Sequence, residues 1–97
     1  MSLEFEWDPK KAKENLSNHD GVSFEEGMTV FADPLAKIFK DEDHSYQEQR
    51  EIIIGHSTRE RLLLVSFTGE GNRVRIISAR EATATEGRDH EEVEATI

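Results

Sequence analysis

Residues 50–80 read REIIIGHSTRERLLLVSFTGEGNRVRIISAR, and this stretch decides the fold. Ile52-Ile53-Ile54, Leu62 to Phe67 and Val74 to Ile77 are β-branched or apolar runs too short for helices. Ser57-Thr58-Arg59-Glu60 and Gly69-Glu70-Gly71-Asn72 lie between them as turn-like segments. Short strands separated by short polar or glycine-containing connections specify an antiparallel meander.

The same stretch is the basic part of an acidic chain. It holds six arginines (50, 59, 61, 73, 75, 80) against Glu51, Glu60 and Glu70, a balance of +3. Residues 1–49 carry five lysines against twelve acids, and residues 81–97 carry Arg88 against six acids; these balances of −7 and −5 complete the net charge of −9. Arginine gathered on one sheet is a candidate anion site. The competing reading is a solvated strand face whose arginines pair with nearby acids.

A chain of 97 residues is expected to form one domain, residues 1–97. Cysteine is absent, which excludes disulfide frames and thiolate chemistry and suits a reducing cytoplasm. No run approaches the ~20 apolar residues of a membrane span, so the expected location is cytoplasmic with no membrane partner. A pI near 4.8 disfavours non-specific nucleic-acid binding, so any RNA or DNA contact has to be local to the arginines.

Before the meander, Asp8-Pro9 reads as an N-cap followed by proline at the first helical position. The helix should present Ala12, Asn15, Leu16 and His19 on one face and stop at Asp20-Gly21. Ser23-Phe24-Glu25-Glu26 is a capping box opening a second helix through Met28, Val30 and Phe31, ended by Asp33-Pro34. Leu35 to Phe39 should form the first strand. After the meander, Thr83-Ala84-Thr85-Glu86 is another capping box, with a helix expected to about Val93. The order is α-α-β-β-β-β-α: an α+β fold of two N-terminal helices, a four-stranded antiparallel sheet and a C-terminal helix.

Alternation along the last strand puts Arg73, Arg75 and Ile77 on one face and Val74, Ile76 and Ser78 on the other. Arg80 has the opposite parity to Arg73 and Arg75 unless a turn or bulge re-aims it. Arg61 opens the neighbouring strand, so Arg61 and Arg80 should approach each other at the edge away from the Gly69–Asn72 loop. Converging guanidiniums there would suit a phosphate oxygen, since each offers a fixed fork of donors. Histidines 19, 44, 56 and 90 show no metal-ligand spacing, and Asp41-Glu42-Asp43-His44 lacks the glycine and spaced acids of a calcium loop. No metal or other cofactor is expected.

Several strings, in this order and spacing, resemble the BrnT family of bacterial toxins over roughly residues 5–92. They are Trp7-Asp8 with Lys11 and Asn15-Leu16, His19 with Gly21-Val22-Ser23-Phe24-Glu25-Glu26, and Val30-Phe31 with Asp33-Pro34. They continue as Asp43-His44-Ser45 with Glu48 and Arg50, Ile54-Gly55 with Ser57, Arg61-Leu62-Leu63, and Arg75-Ile76-Ile77-Ser78-Ala79-Arg80 with Ala82-Thr83. The resemblance implies a RelE-like ribonuclease fold and the toxin half of a type II toxin–antitoxin pair. It also implies a BrnA-type antitoxin with a ribbon-helix-helix DNA-binding domain, DNA being met only through that partner.

Metal-free RNA cleavage would need a base for the ribose 2′-hydroxyl, cations around the phosphorus and an acid for the leaving oxygen. Arg61 and Arg80 match the family's strongest arginine positions and are assigned to phosphate stabilisation, with Arg75 third. Arg50, Arg73 and His44 are assigned to RNA binding; no base stands out, and for His44 and His19, either of which could serve, the alternative is a structural role.

This sequence departs from the family pattern at Glu81, Ala84, Thr85 and Gly87, where basic residues are common. Glu70 stands where arginine is frequent, His90 where tyrosine is, and Asp20 is an extra residue. Loss of positive charge weakens phosphate affinity. Two readings therefore stand side by side: an active endoribonuclease, and a catalytically weak or inactive module that binds an antitoxin and takes part in operon regulation.

Overall fold

The computed structural model describes residues 2–18, 21–41 and 49–87. Its elements are β1 (Glu4–Glu6), α1 (Pro9–Asn18), α2 (Phe24–Val30), β2 (Lys37–Lys40), β3 (Glu51–His56), β4 (Leu62–Glu70) and β5 (Arg73–Glu81), followed by a helical turn over residues 84–87. The strands form one sheet in the order β1-β5-β4-β3-β2. β2, β3, β4 and β5 pair antiparallel in sequence order, as the meander requires.

The sheet has five strands and is mixed, which corrects the expected four-stranded antiparallel sheet. β1 pairs in parallel with β5, Phe5 opposite Val74. Phe5-Glu6-Trp7 alternates briefly, but so short a segment does not announce a strand, and the partner lies about seventy positions away. What holds β1 is aromatic packing: Phe5 meets Phe31 edge-on at 5.1 Å, and Phe31 meets Phe67 at 5.0 Å. The first meander strand begins at Lys37, two residues later than expected, because Asp33 accepts a hydrogen bond from the Leu35 N–H and holds that residue in a turn.

The capping expectations hold locally. Asp8 Oδ1 accepts from the Lys10 N–H, Ser23 Oγ from the Glu26 N–H and Thr83 Oγ1 from the Glu86 N–H. Gly21, with φ 74°, supplies the left-handed residue beyond α1. His19, Asp20, His44, His90 and the remainder of the expected C-terminal helix lie outside the described residues.

α1 and α2 cover one face of the sheet. The core sits beneath them, with Val22, Phe24 and Val30 from the helical layer and Ile53, Leu63, Val65, Phe67, Val74, Ile76 and Ala79 from the sheet. The expected face of α1 is centred differently. Leu16 is 48% exposed, whereas Asn15 is buried and makes the contact. Its amide donates to the carbonyls of Val22 and Ala79 and accepts from the Ala79 N–H, at 2.8–3.1 Å. The two bonds to Ala79 satisfy the outer edge of β5 where β1 has ended, so a side chain completes the strand's pairing, and the third ties in the Val22 carbonyl.

Candidate functional site

The placement of the arginines follows from one irregularity. Between β4 and β5, Phe67 pairs with Ile76 and Ser66 with Ser78, so Ile77 is an extra residue in the ladder. A bulge reverses the parity of everything after it. Val74 and Ile76 before it and Ala79 after it all face the helices. Arg73, Arg75, Ser78 and Arg80 consequently share the opposite face. The re-aiming expected near Arg80 is thus real, but it occurs three residues earlier and inside the strand.

Arg50 joins this face. By alternation from Ile52 it points the same way, and it lines a cleft with Ile77 and Ser78 of β5 and with Lys11, Glu14 and Asn18 of α1. Arg75 borders two neighbouring clefts, one with Asp8 and Lys11, the other with Glu6, Thr68, Glu70 and Arg73. Arg73 Nε stands 3.9 Å from the Glu6 carboxylate. The face thus carries Arg50, Arg73, Arg75 and Arg80, with Glu6 and Glu70 among them. Arg75 is exposed.

Arg61 lies elsewhere. It has the parity of Leu63 and faces α2, where its Nε and Nη2 both donate to the Glu26 carboxylate, the former at 2.9 Å. Ser57 Oγ donates to the same carboxylate at 2.7 Å, and Arg61 Nη1 reaches Glu81 Oε1 at 3.5 Å. The Glu26 side chain is only 4% exposed. Pairing with Arg61, followed by the Ser57 hydrogen bond, holds its carboxyl below the ordinary value despite the opposing effect of burial, and the pair raises Arg61 in turn.

Arg80 is held by a different carboxylate. Its Nη1 and Nη2 donate to Glu86 Oε1 and Oε2, each at 2.9 Å, in a fork-to-fork pair, and Nη1 also reaches the Glu81 carbonyl at 3.1 Å. Glu86 Oε1 accepts in addition from the Thr83 N–H at 2.7 Å. The Arg80 hydrogen bonds, the largest influence, bring the Glu86 carboxyl down to about 2.

The expected convergence of Arg61 and Arg80 on one phosphate is therefore not the observed geometry. Leu64 pairs with Arg80, so the two arginines are near along the sheet edge, but the sheet separates their guanidiniums. Antiparallel register brings the backbones together, and strand alternation sends the side chains apart. Arg50, Arg73, Arg75 and Arg80 are brought to one face; Arg61 is not, and His44 lies outside the described residues.

Sequence reading missed the second roles of Glu26 and Glu86. Both were read as capping-box glutamates. Glu86 does close its box, whereas the Glu26 carboxylate is taken up by Arg61 and Ser57. The Glu26–Arg61 contact spans thirty-five positions and leaves no local signal. Among the described residues, no three His, Asp or Glu side chains gather as a metal site, and no helix is long and apolar enough to cross a membrane.

Comparison with known proteins places this arrangement. The family model for "Ribonuclease toxin, BrnT, of type II toxin-antitoxin system" matches residues 7–86. The crystal structure of the Brucella abortus ribonuclease toxin BrnT is similar in fold, with a TM-score of 0.64 at 24% sequence identity, covering 84% of this chain and 99% of that one. No curated protein sequence matches. With residues 7–86 accounted for by one family, the chain belongs to the BrnT ribonuclease toxins of type II toxin–antitoxin systems.

Proposed function

We propose that the chain is an endoribonuclease that inhibits translation by cleaving RNA without a metal ion, and that its reaction centre lies on the sheet face opposite α1 and α2. The carrying observation is the bulge at Ile77, which sets Arg73, Arg75 and Arg80 on that one face. Arg80 is the principal phosphate ligand in this reading and Arg75 the second. Both would neutralise charge that grows on the phosphate oxygens as the 2′-oxygen attacks. Arg50 and Arg73 hold the RNA backbone on either side, with His44 as a further RNA contact. Arg61, assigned to phosphate on sequence grounds, acts here by position: it ties the start of β4 to α2 through Glu26.

The partner in this reading is a BrnA-type ribbon-helix-helix antitoxin in the cytoplasm, which supplies the DNA contact for the pair. The alternative, a catalytically weak antitoxin-binding module, draws on a specific observation. Both arginines of the strongest family positions already hold carboxylates, Arg61 with Glu26 and Arg80 with Glu86.

One assay separates the two. Purified wild-type protein and Arg80→Ala are incubated with RNA, without added metal, at two salt concentrations. The nuclease reading expects cleavage by wild type, a loss of about a hundredfold or more in Arg80→Ala, and weaker activity at higher salt. Folded wild-type protein that leaves RNA intact would instead establish the binding-module reading.

A further inference from the structure

The donors of Arg80 that the proposed reaction needs are occupied within the chain itself. A carboxylate accepting both terminal nitrogens of a guanidinium at 2.9 Å has the same planar two-oxygen geometry as two non-bridging oxygens of a phosphodiester. Glu86 is also fixed from its other side, because the Thr83 N–H donates to Oε1 and Thr83 Oγ1 accepts from the Glu86 N–H. Neither partner is deeply buried: the Arg80 side chain is 36% exposed and that of Glu86 27%. A half-buried fork pair that takes no part in the core can open without disturbing it.

We propose that the Arg80 fork is an oxyanion-binding site whose resident occupant is the Glu86 carboxylate, an internal stand-in for an RNA phosphate. The inference rests on the reading of Arg80 as a phosphate ligand. RNA engages Arg80 by displacing Glu86, and the helical turn over residues 84–87 shifts when it does. Protonation does not release the occupant at neutral pH, because the carboxyl titrates at about 2. Displacement is by competition, so the apparent affinity for RNA is lower than the fork would give when empty. A different role for Glu86, orienting Arg80 for catalysis, makes the opposite prediction: its removal would weaken binding and slow cleavage.

The test measures binding of a fully 2′-O-methylated single-stranded RNA, which cannot be cleaved, to full-length wild type, Arg80→Ala, Glu86→Gln, Glu86→Asp and Arg80→Ala/Glu86→Gln, with a thermal melt of each. The expected result is binding about three- to tenfold tighter for Glu86→Gln, a smaller gain for Glu86→Asp, and no gain when Arg80 is absent. Equal or weaker binding by a folded Glu86→Gln or Glu86→Asp overturns the proposal. An Arg80→Ala variant that binds as wild type does overturns the underlying assignment of Arg80 instead, so the two failures are distinct. Should Glu86→Gln not fold, Glu86→Asp retains the charge and shortens the reach, and it decides the matter alone.

Discussion

Glu26 shows how one residue's meaning depends on what folding brings to it. Its backbone N–H closes the Ser23 cap, while its carboxylate is the anchor of Arg61 and Ser57 beneath α2. Removing a buried partner costs more than the pair contributes, because the remaining charge loses its compensation. Arg61 is 26% exposed and retains Glu81, so Glu26→Ala should lose about 2–3 kcal/mol in urea unfolding, below the range for a fully enclosed pair. Acid tests the same chemistry. Glu26 and Glu86 both lie below their ordinary value of 4.5, Glu86 at about 2. A carboxyl depressed by folding stabilises the native state above its unfolded value and loses that contribution as pH falls toward its folded one. Wild-type melting temperature should therefore drop as pH falls from 4.5 toward about 2, and Glu86→Gln should flatten that fall. Parallel curves for the two proteins would contradict the assignment.

At the scale of elements, α1 is docked by hydrogen bonds more than by apolar area. Its large apolar residue, Leu16, is largely exposed, while Asn15 supplies two donors and one acceptor to Val22 and to the edge of β5. Asn15→Ala leaves the Ala79 N–H and carbonyl buried without these partners, and should destabilise the fold by about 2–4 kcal/mol. Amide exchange at Ala79 should accelerate in that variant more than at Val65, its neighbour across the ladder. This contact also marks what was legible beforehand. The capping signals at Asp8, Ser23 and Thr83 are local and appear where the sequence puts them, whereas the alternation of the last strand holds only as far as Ile76: the bulge at Ile77 carries Ser78, expected on the face of Val74 and Ile76, to the face of Arg73 and Arg75. The parallel pairing of β1 with β5, the bonds from Asn15 to Ala79 and the tie from Glu26 to Arg61 span thirty-five or more positions. Nothing in a short window encodes them. The Ile77 bulge lies between these cases. The polar-face parity of Arg73 and Arg75 clashes with that of Arg80 in plain sequence, and this announces an extra residue without fixing its position.

For the whole molecule the decisive quantity is charge distribution. A chain of net charge −9 repels RNA, and in the proposed reading binding comes from the sheet face where Arg50, Arg73, Arg75 and Arg80 collect. Segregation of arginine into residues 50–80 was visible in the sequence, but the faces were not: folding sends Arg61 to the helix side and moves Arg80 to the side of Arg75. If Arg50, Arg73, Arg75 and Arg80 each neutralise one phosphate, the logarithm of affinity for single-stranded RNA should fall with the logarithm of salt with a slope of about −3, at about −0.7 per contact. Arg75→Ala should make the slope shallower by about 0.7. Arg59 carries the same charge, is 70% exposed and lies 3.9 Å from Glu26 on the helix side, so Arg59→Ala should leave the slope unchanged. Equal effects of the two substitutions would mean that RNA responds to total charge, and the face defined by the bulge would then have no part in recognition.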